Sequence, residues 1–251
     1  MLDGVTLNVA AGSLTGILGP NGGGKTTLLR LLAGTLRPTA GRVTFAGRPV
    51  TDIPRRDLAR MLAVVPQDTH LAFDYTVLEI ALMGRYPHLG ALEIEGPADV
   101  ASALAALQAT GTRPLADRMF HTLSGGEKQR VIIASALAQL DDGPDREADL
   151  PSYAGTRSAH RVLLLDEPTA SLDLRYQIEV AALLRQLHDS HDITIVLSTH
   201  DLHFASAVCR DVVLLGEGRI LATGPPRDVL TPATLEALYG IDVTPAFAGW
   251  R

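Results

Sequence analysis

Gly19-Pro20-Asn21-Gly22-Gly23-Gly24-Lys25-Thr26 sets glycines, a lysine and a hydroxyl at the spacing G-x-x-x-x-G-K-[ST]. Glycines without a Cβ let backbone N–H groups wrap a polyphosphate, and the lysine then reaches its terminal phosphates. The Thr26 hydroxyl, followed by Thr27, is placed to hold Mg²⁺ beside them. The context suits that chemistry. An apolar strand over Leu14–Leu18 precedes the loop, and Thr27–Ala33 reads as a helix whose positive N-terminus faces the anion. Gly34 stands where a helix C-terminus ends.

A second acid-bearing run, Val162-Leu163-Leu164-Leu165-Asp166-Glu167, reads as a strand buried on both faces of a parallel sheet, with two carboxylates at its carboxyl end. Ligands of such sheets bind beyond that end. Asp166 can orient a Mg²⁺ shell and Glu167 can polarise a water, the two tasks that phosphoryl transfer requires. Ser124-Gly125-Gly126-Glu127 has the Ser-x-x-Glu form of a capping box opening a helix. Two glycines in that first turn are poor helix formers, but they leave the backbone bare for a second phosphate contact. Gln67 ends the run Ala63-Val64-Val65-Pro66, His200 follows Ile193–Ser198, and Ser171-Leu172-Asp173 comes shortly after the acids. Each of these is weak alone, and its value lies in its position.

In this order the motifs resemble the nucleotide-binding subunit of an ABC transporter: phosphate loop, Q-loop, signature, acidic strand end, D-loop and H-loop, over nearly the whole chain. The resemblance implies an α/β fold, a P-loop NTPase core with a mixed, mostly parallel sheet and an inserted helical subdomain carrying the signature. It implies ATP and Mg²⁺ as cofactors and a head-to-tail homodimer with two ATP at its interface. By motif, Gly19–Lys25 hold the phosphates, Thr26 and Gln67 address Mg²⁺, and Asp166 supports the metal. Glu167 would be the general base, and His200 would contact the γ-phosphate. Ser124, with Gly125 and Gly126, would reach the partner's γ-phosphate, and Asp173 would signal between sites. Integral membrane permease subunits are the implied partners, with an extracytoplasmic substrate-binding protein reached indirectly.

Two stretches narrow the resemblance. Pro54–Arg60 leading into Val64-Val65-Pro66-Gln67, and Thr76-Val77 leading to Met83-Gly84-Arg85-Tyr86-Pro87-His88, are similar to ATPases that drive import of iron-siderophore complexes, haem and cobalamin. Val229-Leu230-Thr231-Pro232 with Leu238-Tyr239-Gly240 fits the same group. Residues Arg85–His88 fall where the family receives a short cytoplasmic helix of the membrane subunit, although Pro-His also serves as a plain helix stop. The alternatives are the ATPase of another ABC class and a soluble ABC-type ATPase acting on DNA or ribosomes. The second would call for a coiled-coil insertion, a second cassette or a basic face. A non-hydrolysing interaction module would be expected to lack Glu167 or His200.

Composition agrees with a transport ATPase. The 251 residues, 46% hydrophobic, can bury a large core, and a net charge of −6 argues against broad nucleic-acid binding. No apolar run approaches the roughly 18 residues of a membrane span. Met1–Gly12 has no Lys or Arg and carries Asp3, unlike a secretory leader, so the expected location is the cytoplasmic face of the plasma membrane. The single cysteine, Cys209, reads as a packing residue.

Residues 1–71 and 161–251 alternate strands and helices as an ATPase core does, and 72–140 is Ala- and Leu-rich and reads as the helical subdomain. Residues 141–160, rich in Asp, Gly and Pro, read as a flexible loop insertion. Family members usually carry another strand or two upstream of Leu2–Leu7, with an aromatic residue that stacks on adenine, and no Phe, Tyr or Trp occurs here before Phe45. Either the natural start lies further upstream, or ATP is held by its phosphates alone.

Overall fold

The computed structural model describes residues 2–69, 72–141, 161–170, 172–191 and 193–242. The insertion read over 141–160 lies outside them except for Asp141, as does Ser171. The six-stranded sheet runs in the order β4 (Leu62–Val65), β5 (Val162–Asp166), β6 (Thr194–Thr199), β1 (Leu14–Leu18), β7 (Asp211–Gly216) and β8 (Arg219–Gly224). All neighbours pair in parallel except β7 with β8. A separate antiparallel hairpin joins β2 (Thr44–Phe45) to β3 (Arg48–Pro49). Both hairpins turn through two positive-φ residues, Ala46-Gly47 and Glu217-Gly218, the conformation whose twist matches that of the flanking strands.

The apolar runs form parallel strands because both faces of the sheet are covered. Alternate residues point to opposite faces, so Leu163 and Leu165 of β5, Ile195 and Leu197 of β6, and Leu14 and Leu18 of β1 enter one core, while Leu164, Val196 and Ile17 enter the other. The second core is closed by Leu28 and Leu29 of α1 (Lys25–Leu32) and by Leu58 and Met61 of α2 (Arg55–Met61).

The first core is larger. It takes in α3 (Val77–Met83), α4 (Pro97–Ala109) and α5 (Gly125–Leu140), which pack on one another, together with α6 (Leu174–His191) and α7 (Leu202–Val208). The short helices α8 (Pro226–Val229) and α9 (Pro232–Tyr239) close the edge beside β7 and β8. Nearly every side chain of α5 from Val131 to Leu140 is buried or half-buried, as expected of a helix flanked by the sheet, α3, α4 and α6. Among the described residues no helix is long and apolar enough to cross a membrane.

Candidate functional site

The glycine-rich loop leaves β1 at Leu18 and enters α1 at Lys25, two residues earlier than the sequence pattern places the helix start. Gly24 is the reason. Its φ of 102° turns the chain into the first turn through a conformation that disfavours side chains, so Lys25 and Thr26 sit at the helix's positive end. Gly23 N–H closes the loop onto the Pro20 carbonyl at 3.1 Å, leaving Asn21 and Gly22 exposed at its tip. Lys25 is only 5% exposed, and its Nζ donates to the Gly19 carbonyl at 2.9 Å and the Pro20 carbonyl at 3.3 Å.

The same ammonium lies 3.1 Å from Oε1 of Glu167, and Glu167 Oε2 meets Nδ1 of His200 at 2.9 Å. Three side chains from three parts of the sequence thus form one chain of polar contacts at the carboxyl ends of β1, β5 and β6. The register explains the meeting: Asp166 pairs with Ser198 and Leu18 with Thr199, so the first polar residues after each apolar run emerge at one level.

Ser198, fully buried, ties the two acids together. Its hydroxyl donates to Asp166 Oδ1 at 2.6 Å and accepts the Glu167 N–H at 2.9 Å. Glu167 itself has φ of 46°, a left-handed conformation that costs a non-glycine residue roughly 1–2 kcal/mol. Backbone strain of this kind persists where surrounding bonds over-determine it, and here bonds to Ser198, Lys25 and His200 do so. Ser198 is not among the residues that the motifs single out; its only mark in the sequence is a hydroxyl closing the apolar run Ile195-Val196-Leu197.

Gln67 stands two residues past Val65, which pairs with Leu165, so it belongs to the same end of the sheet with its side chain exposed. Thr26 and Thr27 are half-buried in the first turn of α1. The hydroxyl of Thr26, the amide of Gln67 and the carboxylate of Asp166 supply oxygen donors only, the set suited to Mg²⁺ and not to a soft metal.

Ser124, Gly125, Gly126 and Asp173 gather elsewhere, where α5 meets the start of α6. The Ser124 N–H donates to Glu127 Oε2 at 2.8 Å, and its hydroxyl accepts the Glu127 N–H at 3.3 Å, completing the capping box. The donated Ser124 N–H holds the Glu127 carboxyl below its usual pKa. Asp173 caps α6 by accepting the Tyr176 N–H at 3.1 Å. Gly126 must be glycine, because a Cβ there would lie 2.1 Å from Cδ1 of Tyr176. The signature and the segment after the acids are therefore built into one another, with the bare turn of Gly125 exposed.

Within the Arg85–His88 segment, Arg85 and His88 are 2% and 3% exposed and turned inward, whereas Tyr86 faces solvent. Arg85 bonds Asp99 and the Ala138 carbonyl, and His88 meets the Gln139 carbonyl. Cys209 is buried as read, and burial pushes its thiol up to about 12.

The ABC transporter family model matches residues 2–142. The hemin import ATP-binding protein HmuV of Gloeobacter violaceus is 43% identical over 242 residues, covering 96% of this chain and 82% of that protein. The cobalamin import ATP-binding protein BtuD of Halobacterium salinarum is 41% identical over 239 residues, covering 95% of this chain and 55% of the longer relative. Among solved structures, the dimeric bacterial ABC transporter cassette MJ0796 superposes with a TM-score of 0.71 at 27% identity, covering 90% of each chain. The chain belongs to the ABC transporter family, and within it to the ATPases that couple ATP hydrolysis to transport.

Proposed function

We propose that the chain is the ATP-hydrolysing subunit of an importer for a metal chelate of the haem, cobalamin or ferric-siderophore kind, working as a head-to-tail homodimer at the cytoplasmic face of the membrane. The observation that carries the chemistry is the Lys25–Glu167–His200 chain at the lip of the phosphate loop. Phosphate oxygens give Lys25 a partner in place of Glu167, so binding ATP frees the carboxylate to take a proton from water. Asp166, held by Ser198, and Thr26 with Gln67 would hold Mg²⁺, whose contribution is to neutralise charge building on the phosphates. His200 then steers the γ-phosphate against the freed base.

The composite-site reading draws on the second cluster. Ser124 and the bare turn of Gly125 and Gly126 present a helix N-terminus to an anion, yet within one chain that turn packs against α6, and its hydroxyl bonds Glu127. A second copy arranged head to tail supplies the missing nucleotide, and the likeness to a dimeric cassette supports this arrangement. The importer assignment and the cargo class rest on the two import relatives. Permease subunits are the implied partners, with an extracytoplasmic binding protein acting through them. Co-expression with the polytopic permease candidates of its source organism tests the reading. Stable capture, and ATP-dependent uptake of a haem or corrinoid into vesicles that stops on Glu167→Gln, is the expected result. Capture with uptake of an unrelated solute would overturn the cargo class, and no capture by any of them would overturn the permease partnership.

A further inference from the structure

The turn after α3 is tied in two directions, and the two sets of bonds differ in kind. Inward, Arg85 Nε pairs with Asp99 Oδ1 of α4 at 3.1 Å, with both side chains 3% exposed or less. Its Nη1 donates to the carbonyl of Ala138 at 2.6 Å and to that of Asp141. His88 Nε2 lies 2.8 Å from the Gln139 carbonyl. The last carbonyls of a helix lack partners within it and carry the negative end of its dipole, so the Arg85 guanidinium both satisfies and neutralises the end of α5, and the His88 imidazole satisfies a further carbonyl there. These bonds weld α3, its turn, α4 and α5 into one block.

Outward, the bonds cross a seam. Arg56 and Arg60 of α2 each donate through Nε to the Pro87 carbonyl, at 2.8 and 3.0 Å. From the other side, Gln139 Nε2 donates to the carbonyls of Ala59 and Leu62 at 2.7 and 3.1 Å, where α2 passes into β4. The seam bonds are partly or fully exposed to solvent and contain no paired charge, so they are far easier to exchange than the buried Arg85–Asp99 pair. They also sit at a place with leverage. The far end of the 16-residue helix α5, about 24 Å away, carries Ser124, and the far end of β4 leads to Gln67.

We infer that this seam is the joint that sets the angle of the Ser124 helix on the ATPase sheet, which makes Gln139, Arg56 and Arg60 positioning residues for closure of the composite ATP site. Arg85 and His88 keep the block rigid so that an adjustment at the joint arrives at Ser124 undiminished. The inference rests on the composite-site reading above.

The test uses the full chain with Gln139→Leu, with Arg56→Met/Arg60→Met, and with Arg56→Lys/Arg60→Lys. These substitutions leave the buried pair intact. Each is measured for melting temperature, for binding of a fluorescent ATP analogue at protein concentrations that keep the chain monomeric, and for turnover. In a Glu167→Gln background, the ATP concentration giving half-maximal dimer on a sizing column is read as well. Gln139→Leu and the double Met variant are expected to bind nucleotide within about twofold of the parent. Each should need about tenfold more ATP to dimerise and turn over about tenfold more slowly at saturating ATP, a loss of about 1.4 kcal/mol in closure. The double Lys variant, which keeps a donor to Pro87, should recover most of both.

Unchanged dimerisation and turnover in the Leu and Met variants overturn the joint while leaving the composite site standing. A fall in turnover that tracks a fall in melting temperature and in monomer nucleotide binding also overturns it, because that is what mere support of the fold would give. If Glu167→Gln alone forms no ATP-dependent dimer, the composite-site reading fails first and the inference fails with it.

Discussion

Lys25 and Glu167 hold each other across the carboxyl end of β6, the ammonium 3.1 Å from one carboxylate oxygen while the other oxygen meets His200 at 2.9 Å. The proposed phosphate-binding cation and the candidate base thus neutralise one another. In the proposed reaction, binding of a polyphosphate and release of the base would be one exchange of partners, which would link hydrolysis to a correctly seated nucleotide.

Ser198 is the first test of that geometry. Ser198→Ala removes the donor to Asp166 and the acceptor for the Glu167 N–H, so a buried carboxylate oxygen and a strained peptide lose their partner. Stability should fall by roughly 1–3 kcal/mol by denaturant unfolding. Turnover should fall further than binding of metal-free ATP, because Lys25 and the loop are untouched. Equal activity in Ser198→Ala would show that the acids aim themselves.

The two clusters of site residues make a second prediction. Chains bearing Ser124→Arg and chains bearing Lys25→Ala should each be inactive alone, since every site in either homodimer is damaged. Mixed, they form a dimer with one intact and one dead site, and ATP-driven dimerisation should return in part. Hydrolysis by either variant alone at a rate independent of protein concentration would contradict the head-to-tail arrangement.

Cys209 gives a prediction in pH. Burial raises its pKa from 9.0 to about 12, so the native thiol stays protonated where an exposed one ionises. The favourable contribution of this raised pKa is fully present below pH 9.0 and is lost as pH rises from there through about 12. A disulfide reagent at pH 8 should leave the folded protein unlabelled and titrate one thiol per chain after unfolding. Rapid labelling of the native chain would place Cys209 at an accessible surface.

Much of this site was legible because buried parallel strands tolerate few polar residues. Leu163–Leu165 and Ile195–Leu197 had to be apolar on both faces, so the polar residues that follow, Asp166 and Ser198, mark the level at which the strands leave the sheet. The capping box at Ser124 was equally local, and the structure closes both of its bonds.

What escaped was set by distant partners. The left-handed Glu167 depends on Ser198, 31 residues away, and no propensity records that. Arg85 and His88 read as surface residue types, but they face backbone carbonyls at Ala138 and Gln139, and main-chain acceptors leave no trace in a sequence. The start of α1 moved to Lys25 because Gly24 supplies the turn, whereas helix periodicity becomes visible only once apolar residues recur at Leu28 and Leu29.

The proposal that Glu167 is the base of an ATPase whose cycle of ATP binding and hydrolysis drives transport is tested most directly by steady-state phosphate release by Glu167→Gln at saturating Mg-ATP. Loss of a general base predicts turnover lower by about 10²-fold or more, with ATP still bound and the protein accumulating as an ATP-bound dimer. Turnover equal to that of the unmodified chain would remove Glu167 from the chemistry and contradict the account.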